Sequence, residues 1–496
     1  MKSNIYKNII MNILLQVVTI ISGFILPRLF LSFFGSEVNG LVSSISQFLN
    51  YITLLEGGVT GVMTASLYKP LYDGDIKKIS SIVMATRNFF KKISYVFAIY
   101  TLILAIVYPL CVKSSFTWSY IFLLTLILGI NLFVQYNFSF SLKILLTADN
   151  QIYKISLVQS IVVILNTISV YVGIHIFPNI HIIKLITLVV YFIQPITYTW
   201  MVKNSFNLDV HAKPDEEALS QRWNGFGINI AYFIHSNTDL VLLSLFVSLK
   251  SVSVYTTYLL VINGIKSLIS AVSSSFSATV GQFVAKGSKD ELTNIFEMIE
   301  FFLNFIVYVS YTIVAIVIVP FVMLYTKGIT DTNYYQPLFA IVMVIAEFMY
   351  SVREPYVLLA YQANHFKQFQ NPALYEAIIN IVISVFLVRY IGILGVAIGT
   401  LVAMAYRTLY QVYYLKDHII QRKMKYFWKY TIIYGGTSVL LFYVLNTFIQ
   451  FNYSTILVFL IDLIEMGIII FIAFLVVSII FFRKEFITLY NYVRSK

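Results

Sequence analysis

Residues Ile456–Phe482 have the sequence ILVFLIDLIEMGIIIFIAFLVVSIIFF, and Asp462 and Glu465 are its only charged side chains. A helix needs about 20 mostly apolar residues to cross the hydrocarbon core of a bilayer. This stretch is longer than that and interrupts its apolar run only twice. It therefore predicts a transmembrane α-helix.

Similar stretches recur along the whole chain. Of its 496 residues, 59% are hydrophobic and 11% are charged, whereas soluble domains are about 25% charged. The sequence predicts an all-α polytopic membrane protein with about fourteen transmembrane helices. The predicted spans are 8–33, 39–66, 88–112, 118–145, 153–176, 182–203, 223–248, 253–281, 297–325, 334–361, 372–391, 393–416, 427–449 and 456–482.

The lysines and arginines are distributed unevenly between alternate connecting segments. Most of the 34 fall on the side of the N-terminus. The opposite side holds only Lys113, Lys184, Lys250, Lys327 and Arg389. Because cytoplasmic loops are enriched in Lys and Arg, we expect both termini to be cytoplasmic. The same bias accounts for much of the net charge of +12 without a nucleic-acid partner.

The chain also repeats itself weakly at an offset of about 212 residues. An offset of six helices gives both copies the same orientation, which is typical of a parallel repeat. Four pairs of similar segments follow this offset in order: Leu31–Phe34 with Leu243–Phe246, Gly74 with Gly287, Pro109 with Pro320, and Asn150 with Asn364.

The repeat predicts how the chain is divided. Two six-helix lobes are expected, followed by an appended C-terminal pair of helices. The predicted segments are the N-lobe 1–205, a cytoplasmic linker 206–222, the C-lobe 223–416, the appended spans 427–482 and a cytoplasmic tail 483–496.

Four ionisable residues inside predicted spans are related by the repeat. Charges within a membrane are costly, so each one is a candidate functional residue. The offset brings Arg28 beside Asp239, and Glu56 within one turn of Lys266. We interpret the four as substrate-binding residues of a hydrated cavity between the lobes. The alternative is two structural ion pairs, Arg28–Asp239 and Glu56–Lys266, and substrate could open such pairs.

Other residues near these charges are candidates for gating or ion coupling. A proline inside a helix frees a carbonyl and bends the helix, and glycines beside a charge suit a helix that bends. The alternative roles are helix packing through small residues and structural hydrogen bonds. The candidates are Pro27, Gly57, Gly58, His235, Glu347, Arg353 and Glu354.

Several classes of protein are disfavoured. The single cysteine, Cys111, excludes an internal disulfide and a cysteine-based metal site. No phosphate-binding loop motif occurs, and we expect neither catalytic residues, nor a bound metal, nor a cofactor. A membrane-embedded polysaccharide polymerase is disfavoured because no connecting segment is long enough for a large external domain.

One segment carries a family resemblance. Residues Pro27–Asp75, PRLFLSFFGSEVNGLVSSISQFLNYITLLEGGVTGVMTASLYKPLYDGD, resemble the start of Wzx-type polysaccharide flippases. These O-antigen or capsule repeat-unit transporters belong to the multidrug/oligosaccharidyl-lipid/polysaccharide exporter superfamily. The resemblance extends in layout over the whole chain, with two six-helix lobes, internal termini and two further spans.

The resemblance implies a substrate and a mechanism. A flippase of this kind moves undecaprenyl-pyrophosphate-linked oligosaccharide from the cytoplasmic to the outer face of the bacterial plasma membrane by alternating access. Arg28 and Lys266 match the cations that such a cavity offers to the pyrophosphate. Their acidic neighbours, Glu56 and Asp239, depart from a purely cationic cavity. The appended spans resemble helices that form a groove for the polyprenyl tail in lipid II flippases.

Further implications and alternatives remain open at this point. A proton, a sodium ion or the membrane potential could drive transport, and buried acids such as Glu56, Asp239 and Glu347 could hold the ion. Polymerase machinery is a candidate partner besides the lipid bilayer, and a monomer is expected. The alternatives within the superfamily are a lipid II-type flippase and a drug or metabolite antiporter.

Overall fold

The computed structural model describes residues 2–56, 59–215, 237–286, 288–365, 367–420, 422–448 and 455–494. Over these ranges the regular structure is helical and contains no strand. Eleven of the described helical stretches are long and apolar enough to cross a membrane. The prediction of a multi-pass, all-α membrane protein is therefore confirmed.

Three of the fourteen predicted spans are not among these eleven stretches of the described residues. The second, at 39–66, is broken into short helical pieces, and the tenth, at 334–361, is divided at Arg353. The seventh, at 223–248, is described only from Asn237 onward. The exact number of spans stays a prediction.

The helices form two compact units. Unit 1 comprises Met1–Phe233 and Ser248–Ser253. Its described helices are α1 Lys2–Leu49, α2 Thr53–Glu56, α3 Val59–Asp73, α4 Ile76–Cys111, α5 Trp118–Phe138, α6 Phe140–Ala148, α7 Ile152–Ile176, α8 Ile180–Tyr191 and α9 Ile193–Ser205.

Within unit 1, α1 packs against α7, and α4 packs against α5. Pro27 lies inside α1, where its missing N–H leaves the carbonyl of Gly23 without the usual helical donor. The helical angles of α1 are interrupted at Gly35, with φ 78° and ψ 179°. Only glycine adopts these angles readily, and Gly35 separates the first two predicted spans.

Unit 2 comprises Ile234–Val247 and Val254–Lys496. The first residues of α11, up to Ser253, belong to unit 1. The described helices are α10 Asn237–Phe246, α11 Leu249–Ser275, α12 Ser277–Lys286, α13 Lys289–Tyr325, α14 Pro337–Val352, α15 Glu354–Gln362, α16 Gln370–Ile391, α17 Ile393–His418, α18 Lys425–Phe448, α19 Ile456–Phe481 and α20 Arg483–Arg494.

In unit 2, α17 packs against both α16 and α14. Helix α13 contacts α14, and it also contacts α18, α19 and α20. The helices of the predicted appended pair therefore pack against α13. Their apolar side chains that do not face α13, such as Ile464 and Ile480, are exposed, as expected for contact with lipid.

The sequence repeat is visible in local structure. Asp75 caps the start of α4 by accepting a hydrogen bond from the backbone N–H of Lys78. Ser288 caps α13 in the same way through Glu291. Both helices contain the proline expected from the offset, Pro109 in α4 and Pro320 in α13. Gly287 lies outside the described residues, and the predicted domain boundaries and the parallel arrangement of the lobes stay predictions.

Candidate substrate and coupling site

Lys266 on α11 forms a close ion pair within unit 2. Its ammonium nitrogen lies 2.6 Å from Oε2 of Glu347 on α14, and the two side chains are 22% and 6% exposed. The same nitrogen lies 4.1 Å from the ring centroid of Tyr350, one turn further along α14. Two candidates from the sequence are therefore brought together as one pair.

Tyr350 also contacts a second cation. The guanidinium carbon of Arg353 lies 4.4 Å from the same ring centroid. The aromatic ring attracts both cations through its quadrupole. Tyr350 thus joins the ion pair of Lys266 to the break between α14 and α15, where Arg353 is located.

Arg353 belongs to a buried three-membered cluster. Its Nη1 lies 3.5 Å from Oε1 of Glu376 on α16, and Nη1 of Arg407 on α17 lies 3.7 Å from Oε2 of the same carboxylate. All three residues are less than 10% exposed. Glu376 is thus the shared counter-charge of both arginines, and the cluster connects the α14–α15 break to α16 and α17.

Glu354, the residue after Arg353, also lies close to Lys266. Its carboxylate accepts a hydrogen bond from Ser273 on α11 and interacts electrostatically with Lys266. Pro355 occupies the first turn of α15, where a missing N–H is tolerated. The run Arg353-Glu354-Pro355 therefore lies at the break between α14 and α15.

Asp239 on α10 is surrounded by oxygen-bearing side chains of unit 2. The Tyr255 hydroxyl donates to its Oδ2 at 2.6 Å, and Thr400 Oγ1 lies 2.8 Å from the same oxygen. Asn380 Nδ2 donates to Thr400 Oγ1 at 3.0 Å. Asp239 is 7% exposed, so this is a buried polar cluster joining α10, α11, α16 and α17.

Close packing of α16 and α17 makes this cluster possible. A Cβ atom on Gly399 would lie 2.1 Å from Ser384 Oγ and 2.9 Å from the Ser384 backbone nitrogen. Only glycine fits at that position without displacing the backbone of the neighbouring helix. The short separation places Asn380 within reach of Thr400, so α17 is held against α16 beside the carboxylate.

In unit 1, Glu56 at the end of α2 has partners of its own. The Tyr136 hydroxyl on α5 donates a hydrogen bond to Glu56 Oε1. Lys143 on α6 interacts electrostatically with the same carboxylate. Neither partner was identified from the sequence, because tyrosine is common throughout the chain and Lys143, two residues from the end of the predicted span 118–145, was not singled out.

Of the other predicted site residues, Arg28 is described by the structure, and three lie outside the described residues. Arg28 is half-buried on α1, and its backbone carbonyl accepts a hydrogen bond of 2.6 Å from Ser32 Oγ. Gly57, Gly58 and His235 lie outside the described residues. The predicted pairs between lobes, and the assignment of these residues to a site, stay predictions.

Among the described residues, no group of three or more His, Cys, Asp or Glu side chains has metal-binding geometry. The polar atoms around Asp239 are instead one carboxylate, two hydroxyls and one amide. Such oxygens suit a weakly bound monovalent cation or a proton better than a tightly held transition metal.

Sequence comparisons find no relative. No protein-family model matches the chain, and a search of curated proteins yields no match.

Comparison with solved structures does find similar proteins. The lipid II flippase MurJ in an inward closed conformation matches with a TM-score of 0.71 and 17% identity, over 95% of this chain and 99% of that chain. An inward-facing multidrug resistance MATE family transporter of the MOP superfamily matches with a TM-score of 0.56 and 14% identity, over 79% and 93%. The Vibrio cholerae MATE transporter VcmN in the bent form gives a TM-score of 0.50 and 12% identity, over 84% and 98%. The chain therefore has the fold of the lipid II flippase MurJ and of MATE transporters.

Proposed function

We propose that the protein is a flippase for a polyprenyl-pyrophosphate-linked oligosaccharide in the bacterial plasma membrane. It moves undecaprenyl-pyrophosphate-linked repeat units to the outer face by alternating access, with both termini in the cytoplasm. The observation that carries the proposal is the match to a lipid II flippase over 95% of this chain. The MATE transporter reported above covers 79% of it.

Lys266 is the proposed contact for the pyrophosphate in unit 2. Its ion pair with Glu347 gives the ammonium group a buried counter-charge and orients it inside the membrane. A pyrophosphate oxygen can replace the carboxylate as the partner of the ammonium group, so the lysine stays paired when substrate binds, while Glu347 must then be protonated or hydrated. Tyr350 would hold the lysine in place during that exchange through its ring contact. Arg28 is the proposed cation of unit 1.

The cluster around Asp239 is the proposed coupling site. Its buried carboxylate has hydroxyl and amide neighbours on three other helices. A proton or a sodium ion bound there would neutralise the carboxylate and alter its hydrogen bonds to Tyr255 and Thr400. Because those bonds join α10 to α11 and α17, the charge state of Asp239 would influence how these helices pack.

An apolar cavity in unit 2 is the proposed contact for part of the polyprenyl tail. It has a volume of about 360 Å³ and lies between α13, α14 and α18. Its lining is mostly apolar and includes Ala315, Val344, Phe348 and Val439. An isoprenoid segment is apolar and would pack on such a surface without leaving polar groups unsatisfied.

Depletion of the protein in its host tests the proposal. We expect undecaprenyl-linked oligosaccharide to accumulate on the inner leaflet and surface polysaccharide to fall. Expression of the unaltered chain should reverse both changes. Normal surface polysaccharide with no accumulating lipid intermediate would contradict the proposal.

A lipid II flippase is the second candidate, because the matching structure is one. The same depletion separates the two candidates by the sugar on the accumulating lipid. Lipid II would accumulate together with a defect in cell-wall synthesis. A repeat-unit oligosaccharide would accumulate while cell-wall synthesis continued.

A further inference from the structure

The chain after α9 is held against the start of α4 by three polar contacts. The Asp209 backbone N–H donates to Ser80 Oγ at 3.0 Å, and the Asp215 N–H donates to the Ser81 carbonyl at 3.1 Å. Lys78 Nζ lies 2.7 Å from Oδ2 of Asp215. These contacts fix the described part of the predicted linker, so it forms a wall on the surface of unit 1.

A cavity of about 250 Å³ lies behind this wall, which we call the linker cavity. Residues of α4, α5, α6 and α9 and the linker segment Phe206–Val210 line it. Val83, Val202 and Leu208 give it apolar walls, and Ser141 supplies a buried hydroxyl. The cavity combines apolar surface with a few polar groups, as small-ligand sites do.

Two cations and one carboxylate line the same cavity. Arg87 on α4 and Lys203 on α9 are exposed, and among the described residues neither is found in an ion pair. Asp209 is the acidic residue, and its Oδ1 accepts a hydrogen bond from the His211 N–H at 2.9 Å. The balance of charge is positive, which favours an anionic ligand.

We propose that the linker cavity binds a phosphate ester. Its phosphate would lie between Arg87 and Lys203, and its less polar part would pack on Val83 and Leu208. Guanidinium groups bind phosphate oxygens through two parallel hydrogen bonds, and lysine adds a point charge. Because the linker forms one wall, an occupant would hold the linker against α4. The proposal does not depend on which substrate the protein transports.

A phosphate ester at a cytoplasmic membrane surface can come from two sources. One is the head group of an anionic phospholipid, and the other is a soluble sugar phosphate. The purified full-length protein is heated in detergent with phosphatidylglycerol, with phosphatidylcholine, or with glucose 1-phosphate. A rise in the midpoint of unfolding with phosphatidylglycerol alone identifies the lipid, and a rise with glucose 1-phosphate alone identifies the soluble ester.

Variants test whether the probe that raises the midpoint of unfolding binds in the linker cavity. Arg87→Gln with Lys203→Gln should weaken binding of the active probe roughly ten-fold or more, because two charge-assisted contacts are lost. Thr199→Trp, at an exposed lining position, should block the cavity without changing its charge. The matched control is Lys77→Gln with Lys92→Gln, which removes two exposed lysines of α4 outside the lining.

Three results would overturn the proposal. One is that neither anionic probe shifts the midpoint. Another is that phosphatidylcholine raises the midpoint as much as phosphatidylglycerol does while glucose 1-phosphate leaves it unchanged. The third is that the double glutamine variant and Thr199→Trp both bind the probe as tightly as the control variant does.

Discussion

The ammonium nitrogen of Lys266 lies 2.6 Å from Oε2 of Glu347, with both side chains largely buried. Each charge therefore depends on the other inside the membrane. Removing one member of a buried pair leaves the other without its counter-ion, which costs about 3–5 kcal/mol. A mutation of Lys266 can therefore abolish transport either by removing a substrate contact or by unfolding the protein. Reversing the two charges of the pair distinguishes these effects.

We expect Lys266→Gln to reduce transport of the lipid-linked oligosaccharide at least about ten-fold. The reversed pair, Lys266→Glu with Glu347→Lys, should recover protein abundance because opposite charges still face each other. It should not recover transport, because the cation is then on α14 instead of α11. Membrane abundance and translocation in proteoliposomes measure the two effects. Transport by Lys266→Gln at the level of the unaltered protein would show that Lys266 does not bind substrate.

Thr400 provides a sharper test of the coupling site than the carboxylate itself. Thr400→Val removes one oxygen next to Asp239 Oδ2 with little change of shape. We expect the half-saturating sodium concentration to rise about ten-fold, since one oxygen ligand of the sodium ion is lost. Asp239→Asn should abolish the dependence on that cation. Transport is measured against sodium concentration and against pH.

The matched control for this test is Thr408→Val on the same helix. The Thr408 hydroxyl donates to the Met349 carbonyl at 2.6 Å, away from Asp239. This variant should keep the cation dependence of the unaltered protein. If Thr400→Val and Thr408→Val behave alike, the cluster around Asp239 is structural.

The spans and the break at Arg353 could be predicted because lipid imposes simple rules. A membrane helix needs a long apolar run, and Arg353-Glu354-Pro355 combines charge with a proline that cannot continue the helical hydrogen bonds. Both signals are local in sequence. The structure divides the tenth predicted span at this position.

The partners of the membrane charges could not be predicted in the same way. Glu347 reaches Lys266 because of how α11 and α14 are placed, and Tyr136 reaches Glu56 across unit 1. The repeat offset relates equivalent positions, not positions in contact. The 37 tyrosines of the chain also gave no reason to single out Tyr136.

Glu300 and Arg422 supply a test of how the C-terminal helices are attached. Glu300 on α13 is fully buried, lies 2.6 Å from Nη2 of Arg422 and accepts a hydrogen bond from Tyr356. Burial alone would lower the pKa of Arg422, which precedes α18, but the Glu300 carboxylate raises it above its usual value. Arg422 therefore stays charged, and Glu300→Gln should lower the free energy of unfolding by about 3–5 kcal/mol.

Two comparisons complete that test by thermal unfolding in detergent. Glu297→Gln removes two longer contacts, 3.9 Å to Arg422 and 3.9 Å to Lys484, and should cost under about 1 kcal/mol. The double variant Glu300→Leu with Arg422→Met removes both charges and should be more stable than Glu300→Gln. Equal midpoints for Glu300→Gln and Glu297→Gln would mean that the buried pair does not hold α18 to α13.

Asn150 and Asn364, which the repeat relates, both adopt left-handed backbone angles. The unfolding midpoint of variants at these positions measures how much each turn contributes to stability. The φ angles of the two asparagines are 57° and 61°, and each asparagine follows a nine-residue helix, α6 or α15. Because left-handed angles cost most side chains about 1–2 kcal/mol, Asn364→Ala should lower the unfolding midpoint while Asn364→Gly should not. Asn150→Gly should be less well tolerated than Asn364→Gly, because the Asn150 Oδ1 also accepts a hydrogen bond of 2.7 Å from Asn8. Equal midpoints for Asn364→Ala and Asn364→Gly would show that the left-handed turn does not limit stability there.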